Sequence, residues 1–131
     1  MSSRVLVIDD DPGVLEVISS FLEDNQIDHV LSSNINEARF KMENEHFGLI
    51  ICDFNIGKVS CTDLVVNLRA NNSINYNTPI FLITAAIKKV QLNKLKPHLD
   101  AAFLKPFNMN SLLSRIEEFR GRKHQRKDFQ R

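Results

Sequence analysis

Carboxylates, a hydroxyl and an ammonium group follow the apolar segments of this 131-residue sequence. Asp9 and Asp10 come directly after VLVI, and Asp53 comes directly after GLIIC. Thr84 follows PIFLI, and Lys105 follows AAFL. Three carboxylates suit a hard divalent cation such as Mg²⁺, which binds few carboxylates together with water and phosphate oxygens. Such a cation also offsets the repulsion of neighbouring aspartates, which is roughly 4 kcal/mol for two unit charges about 4 Å apart at an effective dielectric of about 20.

The same side chains predict phosphoryl-transfer chemistry. A carboxylate such as Asp53 can act as the nucleophile towards a phosphoryl group and form an aspartyl phosphate. Phosphoryl transfer needs mainly positioning and charge stabilisation from the protein. The cation and Lys105 would therefore neutralise the phosphoryl oxygens, and Thr84 would donate a hydrogen bond to one of them.

Five short apolar segments are the predicted strands that position these residues. Three of them are continuous apolar runs, which is typical of strands covered on both faces. The segments between them have apolar residues at helical spacing, as in the helix predicted to begin near Val14. The predicted strands are residues 5–8, 28–32, 48–52, 79–83 and 101–104, and the further predicted helices are residues 36–46, 62–70, 88–99 and 108–122.

Alternating strands and helices predict an α/β fold, (βα)5, in which a doubly wound parallel five-stranded sheet has helices on both faces. In such a sheet, ligands bind beyond the carboxyl ends of the strands, where the strand order reverses. The polar residues that follow the strands are distant in sequence. They are nevertheless expected to share one crevice.

The third aspartate of the DDDPGV stretch is predicted to have a different role. Asp11 precedes Pro12, and an aspartate before a proline is typical of a helix N-cap followed by proline at the first helical position. The carboxylate would face free backbone N–H groups at the positive end of the helix dipole. Asp11 is therefore predicted to cap a helix rather than to bind a cation.

Four motifs, VLVIDDDP, GLIICDFN, PIFLITA and FLKPF, resemble in order and approximate spacing the receiver domain of two-component response regulators. This family includes the single-domain chemotaxis regulators. The resemblance covers about residues 4–119 and implies the flavodoxin-like strand order 2-1-3-4-5. It also implies a switch that accepts a phosphoryl group from a sensor histidine kinase or a histidine phosphotransfer protein. Such a switch signals to a downstream effector and is not an enzyme acting on an outside substrate.

The resemblance assigns roles in a metal site. Asp10 resembles the direct ligand of the cation, Mg²⁺ or Mn²⁺, and Asp9 resembles the neighbour that acts largely through water. Asp53 resembles the phosphoacceptor, which also binds the cation. Asn55 resembles the position that gives its backbone carbonyl to the metal.

The resemblance also assigns roles to the residues that follow the last two strands. Thr84 resembles the switch hydroxyl, and Lys105 resembles the phosphate-binding lysine. In the family the bond between this lysine and the next proline is typically cis, and proline makes that isomer inexpensive. The Lys105–Pro106 bond is therefore expected to be cis.

The sequence departs from the family pattern after the phosphoacceptor. Gly57 stands where the family usually has proline, and Ser60 and Cys61 replace the usual pair of an acidic residue and glycine. The loop therefore loses one restraint on φ, and its turn must form without the usual glycine. This departure is expected to affect the rigidity of the loop more than the phosphorylation chemistry.

Two further departures concern the switch. Ala102 stands where the family usually has tyrosine or phenylalanine, and Phe103 follows it. Either Phe103 substitutes for the usual aromatic residue or that half of the switch is missing. Ala86, two residues after Thr84, has no side chain that could orient an attacking water, which predicts a long-lived phosphorylated state.

Composition is that of a globular protein, with 43% hydrophobic and 25% charged residues. No apolar run approaches the roughly 18 residues of a spanning helix, and no signal-peptide pattern begins the chain. Cys52 and Cys61 form neither a CxxC pair nor a disulfide framework, which fits a reducing compartment. A cytoplasmic location without membrane contact is therefore expected.

Charge divides the chain into a predicted receiver domain, residues 1–119, and a basic tail or linker stub, residues 120–131. The first part has 11 Lys and Arg against 15 Asp and Glu, whereas the tail has six basic residues against Asp128. A short basic tail can touch nucleic acid, but nucleic-acid binding by this chain alone is not expected. A monomer or a weak dimer is expected.

Two other functions fit parts of the pattern. DDDPGV also resembles the DxD motif of haloacid-dehalogenase-like phosphatases, with Asp9 as nucleophile and Asp11 as acid/base. The sequence lacks the late acidic pair and the cap insertion of those phosphatases, and a phosphatase of this kind would leave Asp53 without a role. A pseudo-receiver that binds partners without phosphorylation is disfavoured because every phosphorylation residue is present.

Overall fold

Five parallel strands form the central sheet of the computed structural model, which describes residues 3–70 and 72–119. The predicted tail or linker stub at residues 120–131 lies outside the described residues. The sheet contains β1 (Val5–Ile8), β2 (His29–Ser32), β3 (Leu49–Asp53), β6 (Ile80–Thr84) and β7 (Ala101–Leu104). A separate two-stranded hairpin, which was not predicted, contains β4 (Asn55–Ile56) and β5 (Val59–Ser60).

The strand order of the sheet is β2-β1-β3-β6-β7, and every neighbouring pair is parallel. Because β6 and β7 are the fourth and fifth strands of this sheet, the expected order 2-1-3-4-5 is confirmed. The order reverses between β1 and β3. The carboxyl ends of these two strands therefore flank the place where doubly wound sheets bind ligands.

The described helices are α1 (Pro12–Asp24), α2 (Ile35–Asn44), α3 (Thr62–Leu68), α4 (Lys89–Leu95) and α5 (Met109–Phe119). The helix predicted over residues 88–99 is shorter than expected and continues as a 3₁₀ turn, Lys96–His98. Pro97 explains this difference, because it has no N–H to donate to the carbonyl four residues earlier. In the described parts of the chain, no helix is long and apolar enough to cross a bilayer.

Two apolar layers cover the two faces of the sheet, and strand alternation assigns each residue to one layer. The three central strands are buried along their whole length, as their continuous apolar runs predicted. On one face Leu6, Ile50 and Leu82 pack with residues of α2, α3 and α4. On the other face Val7, Ile51, Phe81 and Ile83 pack with residues of α1 and α5.

Both cysteines belong to the first of these layers, and both are buried free thiols. The neighbouring thiol of Cys61, together with burial, holds the pKa of Cys52 well above its usual value. A buried thiol that stays protonated is a poor nucleophile. Cys52 is therefore a small apolar residue of the core.

The loop before β6 is anchored by the buried side chain of Asn75. Its Oδ1 accepts hydrogen bonds from the Phe47 N–H at 2.8 Å and from the Thr78 hydroxyl at 2.9 Å. Its Nδ2 donates to the carbonyls of Met42 at 2.7 Å and Glu45 at 2.9 Å. These four bonds use the full capacity of the amide, so Asn75 ties the loop to the end of α2 and the start of β3.

We predict that Asn75→Ala lowers the free energy of unfolding by about 1–3 kcal/mol, because it leaves buried backbone groups without partners. Urea unfolding followed by circular dichroism measures the change. Asn72→Ala is the matched control, since Asn72 is exposed in the same loop, and it should change stability by less than about 0.5 kcal/mol. Equal stability of the two variants would contradict the assignment of Asn75 as the anchor.

Candidate functional site

The three aspartates predicted to bind a cation lie together at the carboxyl edge of the sheet. Asp9 directly follows β1 and is fully buried, and Asp53 is the buried last residue of β3. Asp10 is exposed. One carboxylate oxygen from each of the three residues lies within 4.8 Å of the other two. Residues from two distant segments are thus brought to one point at the switch of strand order.

Lys105 links two of these carboxylates. Its side chain reaches in from the end of β7, and Nζ donates hydrogen bonds to Asp9 Oδ2 at 2.8 Å and to Asp53 Oδ2 at 3.0 Å. Such charge-assisted bonds are about twice as strong as bonds between neutral groups. The ammonium group therefore offsets part of the repulsion between the two buried aspartates.

The donor set of this crevice fits a divalent cation. The crevice holds three carboxyl groups and one ammonium group, so its acidic groups outnumber its basic group by two. All three carboxylates are hard oxygen ligands, the kind that Mg²⁺ and Mn²⁺ prefer. Charge and ligand chemistry therefore agree with the predicted Mg²⁺ or Mn²⁺ site.

Opposing effects act on the pKa of the buried Asp53 and on that of the half-buried Lys105. Burial raises the pKa of Asp53, and the hydrogen bond from Lys105 opposes this effect. The negative charge of Asp9 raises it further, so the pKa of Asp53 lies above its usual value. Burial lowers the pKa of Lys105, but its bonds to Asp9 and Asp53 outweigh burial and leave that pKa raised. The ionised form of Asp53 thus depends on the cationic group beside it.

Asn55 also contacts Asp53, through its backbone. Asn55 begins β4 and has an exposed side chain. Its N–H is hydrogen-bonded to Asp53 and lowers the pKa of that carboxyl. The peptide segment therefore lies against the carboxylate, while the metal-binding role of the Asn55 carbonyl stays a prediction.

The hydroxyl of Thr84 lies at the same edge, but its hydrogen bonds are to the following turn. Thr84 ends β6 and is buried. Its Oγ1 donates to the Ala86 carbonyl at 3.0 Å and accepts a hydrogen bond from the Ala86 N–H at 3.3 Å. A hydrogen bond from Thr84 to a phosphoryl group stays a prediction, and it would require the hydroxyl to leave the Ala86 carbonyl.

The predictions for Asp11 and Pro106 agree with the structure. Asp11 is the N-cap of α1, and its Oδ1 accepts a hydrogen bond from the Gly13 N–H at 2.8 Å. The Asp11 N–H donates in turn to Asp9 Oδ1 at 2.9 Å. The Lys105–Pro106 peptide bond is cis. Because the Asp11 carboxylate caps a helix, the arrangement gives no support to a phosphatase with Asp11 as acid/base.

Strand alternation in β7 decides whether Phe103 substitutes for the aromatic residue that the family usually has at the position of Ala102. Phe103 packs against Phe81 and Phe107, with ring centroids 5.8 Å and 6.3 Å away. Ala102 is paired with Leu82, which belongs to the layer on the opposite face of the sheet. Phe103 therefore does not substitute for an aromatic residue at position 102.

The hairpin that follows Asp53 is the feature of the site that the sequence analysis missed. Its strands β4 and β5 are joined by the two residues Gly57 and Lys58. Gly57 has φ +67°, and its N–H donates a hydrogen bond to Asp10 Oδ2 at 2.9 Å. A glycine at the first position of a two-residue loop is a hairpin signal.

An apolar groove of about 600 Å³ lies beside the crevice. It runs between the first half of α1 and the segment that joins β7 to α5. Lys105, at one end of the groove, belongs to both the groove and the acidic crevice. The apolar residues that line the groove include Val14, Val17, Ile18, Pro106, Phe107 and Met109.

We predict that Lys105→Ala raises the pKa of Asp53 further. The variant loses the hydrogen bond that lowers this pKa, while burial and the charge of Asp9 continue to raise it. A carboxyl whose folded pKa exceeds its unfolded value is stabilised in its protonated form. The variant should therefore gain stability relative to wild type as the pH falls through the range in which Asp53 titrates.

Carboxyl ¹³C NMR titration measures this pKa directly. Lys58→Ala, which removes an exposed lysine from the hairpin turn, is the control and should leave the titration of Asp53 unchanged. A Lys105→Ala protein whose Asp53 titrates at or below the wild-type pH would show that Lys105 does not support the ionised form.

The fold of this chain occurs in known proteins. The regulatory protein VanRB of Enterococcus faecalis is 29% identical over 118 residues, which are 89% of this chain and 52% of that protein. The receiver domain of the Francisella response regulator 1452 has a TM-score of 0.78 at 27% identity, and the match covers 90% of this chain and 96% of that one. A CheY-like receiver domain protein from Methanospirillum hungatei JF-1 shares the fold with a TM-score of 0.82 at 24% identity, covering 90% and 93% of the two chains.

These similarities extend over nearly the whole described part of the chain. The chain spans about half the length of the curated relatives it matches. The sequence of residues 5–117 matches the response regulator receiver domain. The chain therefore belongs to the response regulator receiver domain family of two-component signal transduction.

Proposed function

We propose that this receiver domain accepts a phosphoryl group on Asp53 from the phosphohistidine of a sensor histidine kinase or a histidine phosphotransfer protein. The observation that carries the proposal is the pair of hydrogen bonds from Lys105 to Asp9 and Asp53 within the acidic cluster. A cationic group beside a buried carboxylate nucleophile is suited to hold phosphoryl oxygens. Asp9, Asp10 and Asp53, with the backbone carbonyl of Asn55, would bind Mg²⁺ or Mn²⁺.

The proposed transfer moves the phosphoryl group from nitrogen to oxygen. A carboxylate oxygen of Asp53 attacks phosphorus, and the phosphorus–nitrogen bond of the donor breaks as the new phosphorus–oxygen bond forms. The electron pair of the broken bond stays on the imidazole nitrogen of the donor. The cation, when bound, supplies positive charge to the phosphoryl oxygens, which suits a reaction that depends on electrostatic stabilisation.

Phosphorylation would then alter two contacts that the free domain makes. The phosphoryl oxygens would attract the ammonium of Lys105 away from Asp9 and the hydroxyl of Thr84 away from the Ala86 carbonyl. The turn after β6 would lose the hydrogen bond that Thr84 now donates to it. A charge at Asp53 would thus bias a pre-existing equilibrium between two surfaces, and a downstream effector would bind one of them.

The apolar groove beside Lys105 supports a protein as the phosphoryl donor. Its lining is largely apolar, and Val17 within it is 56% exposed. An exposed apolar groove next to a reactive group is typical of a protein docking site. A helix of the donor that lies in this groove would bring its phosphohistidine to the crevice, because Lys105 lines both.

The proposed unit is residues 1–119, with residues 120–131 as a tail or linker stub. Its chemistry is limited to its own phosphorylation and dephosphorylation. A cytoplasmic location and a monomer or weak dimer stay predictions. The haloacid-dehalogenase-like phosphatase and the pseudo-receiver are outcomes that the next experiment distinguishes.

We predict that Asp53→Asn abolishes phosphorylation by acetyl phosphate and the Mg²⁺-dependent uptake of beryllofluoride, which mimics a phosphoryl group on a carboxylate. Peptide mass mapping and ¹⁹F NMR measure the two events. Asp11→Asn is the matched control, because Asp11 caps α1, and it should keep both. Label on Asp9 would favour the phosphatase, and a wild-type protein that takes up neither compound would favour the pseudo-receiver.

We predict that the phosphorylated domain hydrolyses slowly, because the exposed Ala86 has no polar side chain to orient water. Phosphate release from protein loaded with acetyl phosphate measures the rate. Ala86→Glu supplies a carboxylate that can accept a proton from water, and it should speed release about tenfold or more. Release within seconds from the wild-type protein would contradict this prediction.

A further inference from the structure

The turn of the hairpin makes a direct hydrogen bond to one of the residues proposed to bind the cation. The Gly57 N–H donates to Asp10 Oδ2 at 2.9 Å. The other two carboxylates are held elsewhere, because Lys105 contacts both Asp9 and Asp53. Among the residues that the structure describes, Gly57 is the donor that is hydrogen-bonded to Asp10.

This contact depends on the residue at position 57. Gly57 has φ +67°, a backbone conformation that most residues adopt only with strain. With Gly57 at the first position of the loop and Lys58 outside the positive-φ region, the turn has the pattern of type II′. Proline fixes φ near −65° and has no N–H. The residue that the family usually has here could neither adopt this turn nor make this hydrogen bond.

The hydrogen bond from Gly57 matters for cation binding because Asp10 is exposed. An exposed aspartate side chain is free to rotate, and cation binding would have to restrict it. Hydrogen bonds to a ligating carboxylate fix its orientation before the metal binds. An ionised carboxylate has about four lone-pair sites, so Asp10 can accept the Gly57 N–H and bind a cation at the same time.

We propose that Gly57 is a positioning residue for the divalent cation, because its backbone N–H orients the carboxylate of Asp10. The inference rests on the proposed function, in which Asp10 is a metal ligand. Because linkage between two sites is reciprocal, cation binding should in turn stabilise the hairpin of β4 and β5. The hairpin after the phosphoacceptor would thus respond to metal binding before any phosphorylation.

The test compares variants that remove or keep the donor. Gly57→Pro removes the N–H and should lower Mg²⁺ affinity about tenfold or more. Gly57→Ala keeps the N–H, and the space around its new Cβ is open, so it should bind Mg²⁺ within about threefold of wild type although positive φ costs it stability. Lys58→Ala changes the exposed neighbour in the turn and should bind Mg²⁺ as wild type does. NMR titration with MgCl₂ at constant ionic strength measures all four proteins.

Hydrogen exchange of the Gly57 amide gives a readout that does not require the proline variant to fold. The amide should exchange more slowly in wild type than in Asp10→Ala, and Mg²⁺ should slow it further in wild type alone. Equal exchange in the two proteins, or wild-type affinity in a folded Gly57→Pro, would overturn the assignment.

Different results would contradict the positioning role of Gly57 and the proposed function. If Gly57 has no positioning role, Mg²⁺ and beryllofluoride still bind, and only the differences between the variants disappear. If the wild-type domain binds no Mg²⁺ at all, the proposed metal site and the role of Gly57 both fail.

Discussion

The ammonium group of Lys105 between Asp9 and Asp53 is the interaction on which this edge of the molecule depends. Lys105 is 96 residues from Asp9 and 52 residues from Asp53 in sequence. Its two hydrogen bonds therefore tie the ends of β1, β3 and β7 together. Without a positive charge, two buried carboxylates at the ends of adjacent strands would repel each other in a medium that screens poorly. The same group makes the site responsive, because any new negative charge at Asp53 competes for it. In the proposed function, the same ammonium group would therefore both stabilise the resting domain and respond to phosphorylation.

Much of the sheet and the identity of the acidic cluster could be predicted from sequence, because continuous apolar runs that end in polar residues leave few other arrangements. The five strands, their order and the capping role of Asp11 followed from that pattern and from the family resemblance. The hairpin of β4 and β5 could not be predicted, since two-residue strands carry too little periodicity. The direction of the Thr84 hydroxyl depends on the local backbone of Ala86, which no residue pattern encodes.

The side of the sheet covered by α4 lacks the aromatic residue that the family usually has in the fifth strand. Ala102 is exposed there, and Leu104 on the same side is 66% exposed. Phe103 belongs to the opposite layer, where it is one of a row of packed rings with Phe81 and Phe107. In the proposed function, a change at Thr84 would therefore reach this surface through the backbone of the turn and without an aromatic side chain in the fifth strand. In the proposed function, the surface that would meet an effector differs accordingly from the family's usual surface.

The alternation of β7 also limits how the missing aromatic residue could be introduced into this protein. A shift of the strand by one residue would bring Phe103 to the side of Ala102, because side chains alternate with a period of two. The same shift would turn Lys105 away from Asp9 and Asp53, and the acidic edge would lose its positive partner. A one-residue insertion or deletion in residues 101–104 would thus supply the missing aromatic only at the cost of the Lys105 contacts. A point substitution at Ala102 could supply one and leave Lys105 in place beside Asp9 and Asp53.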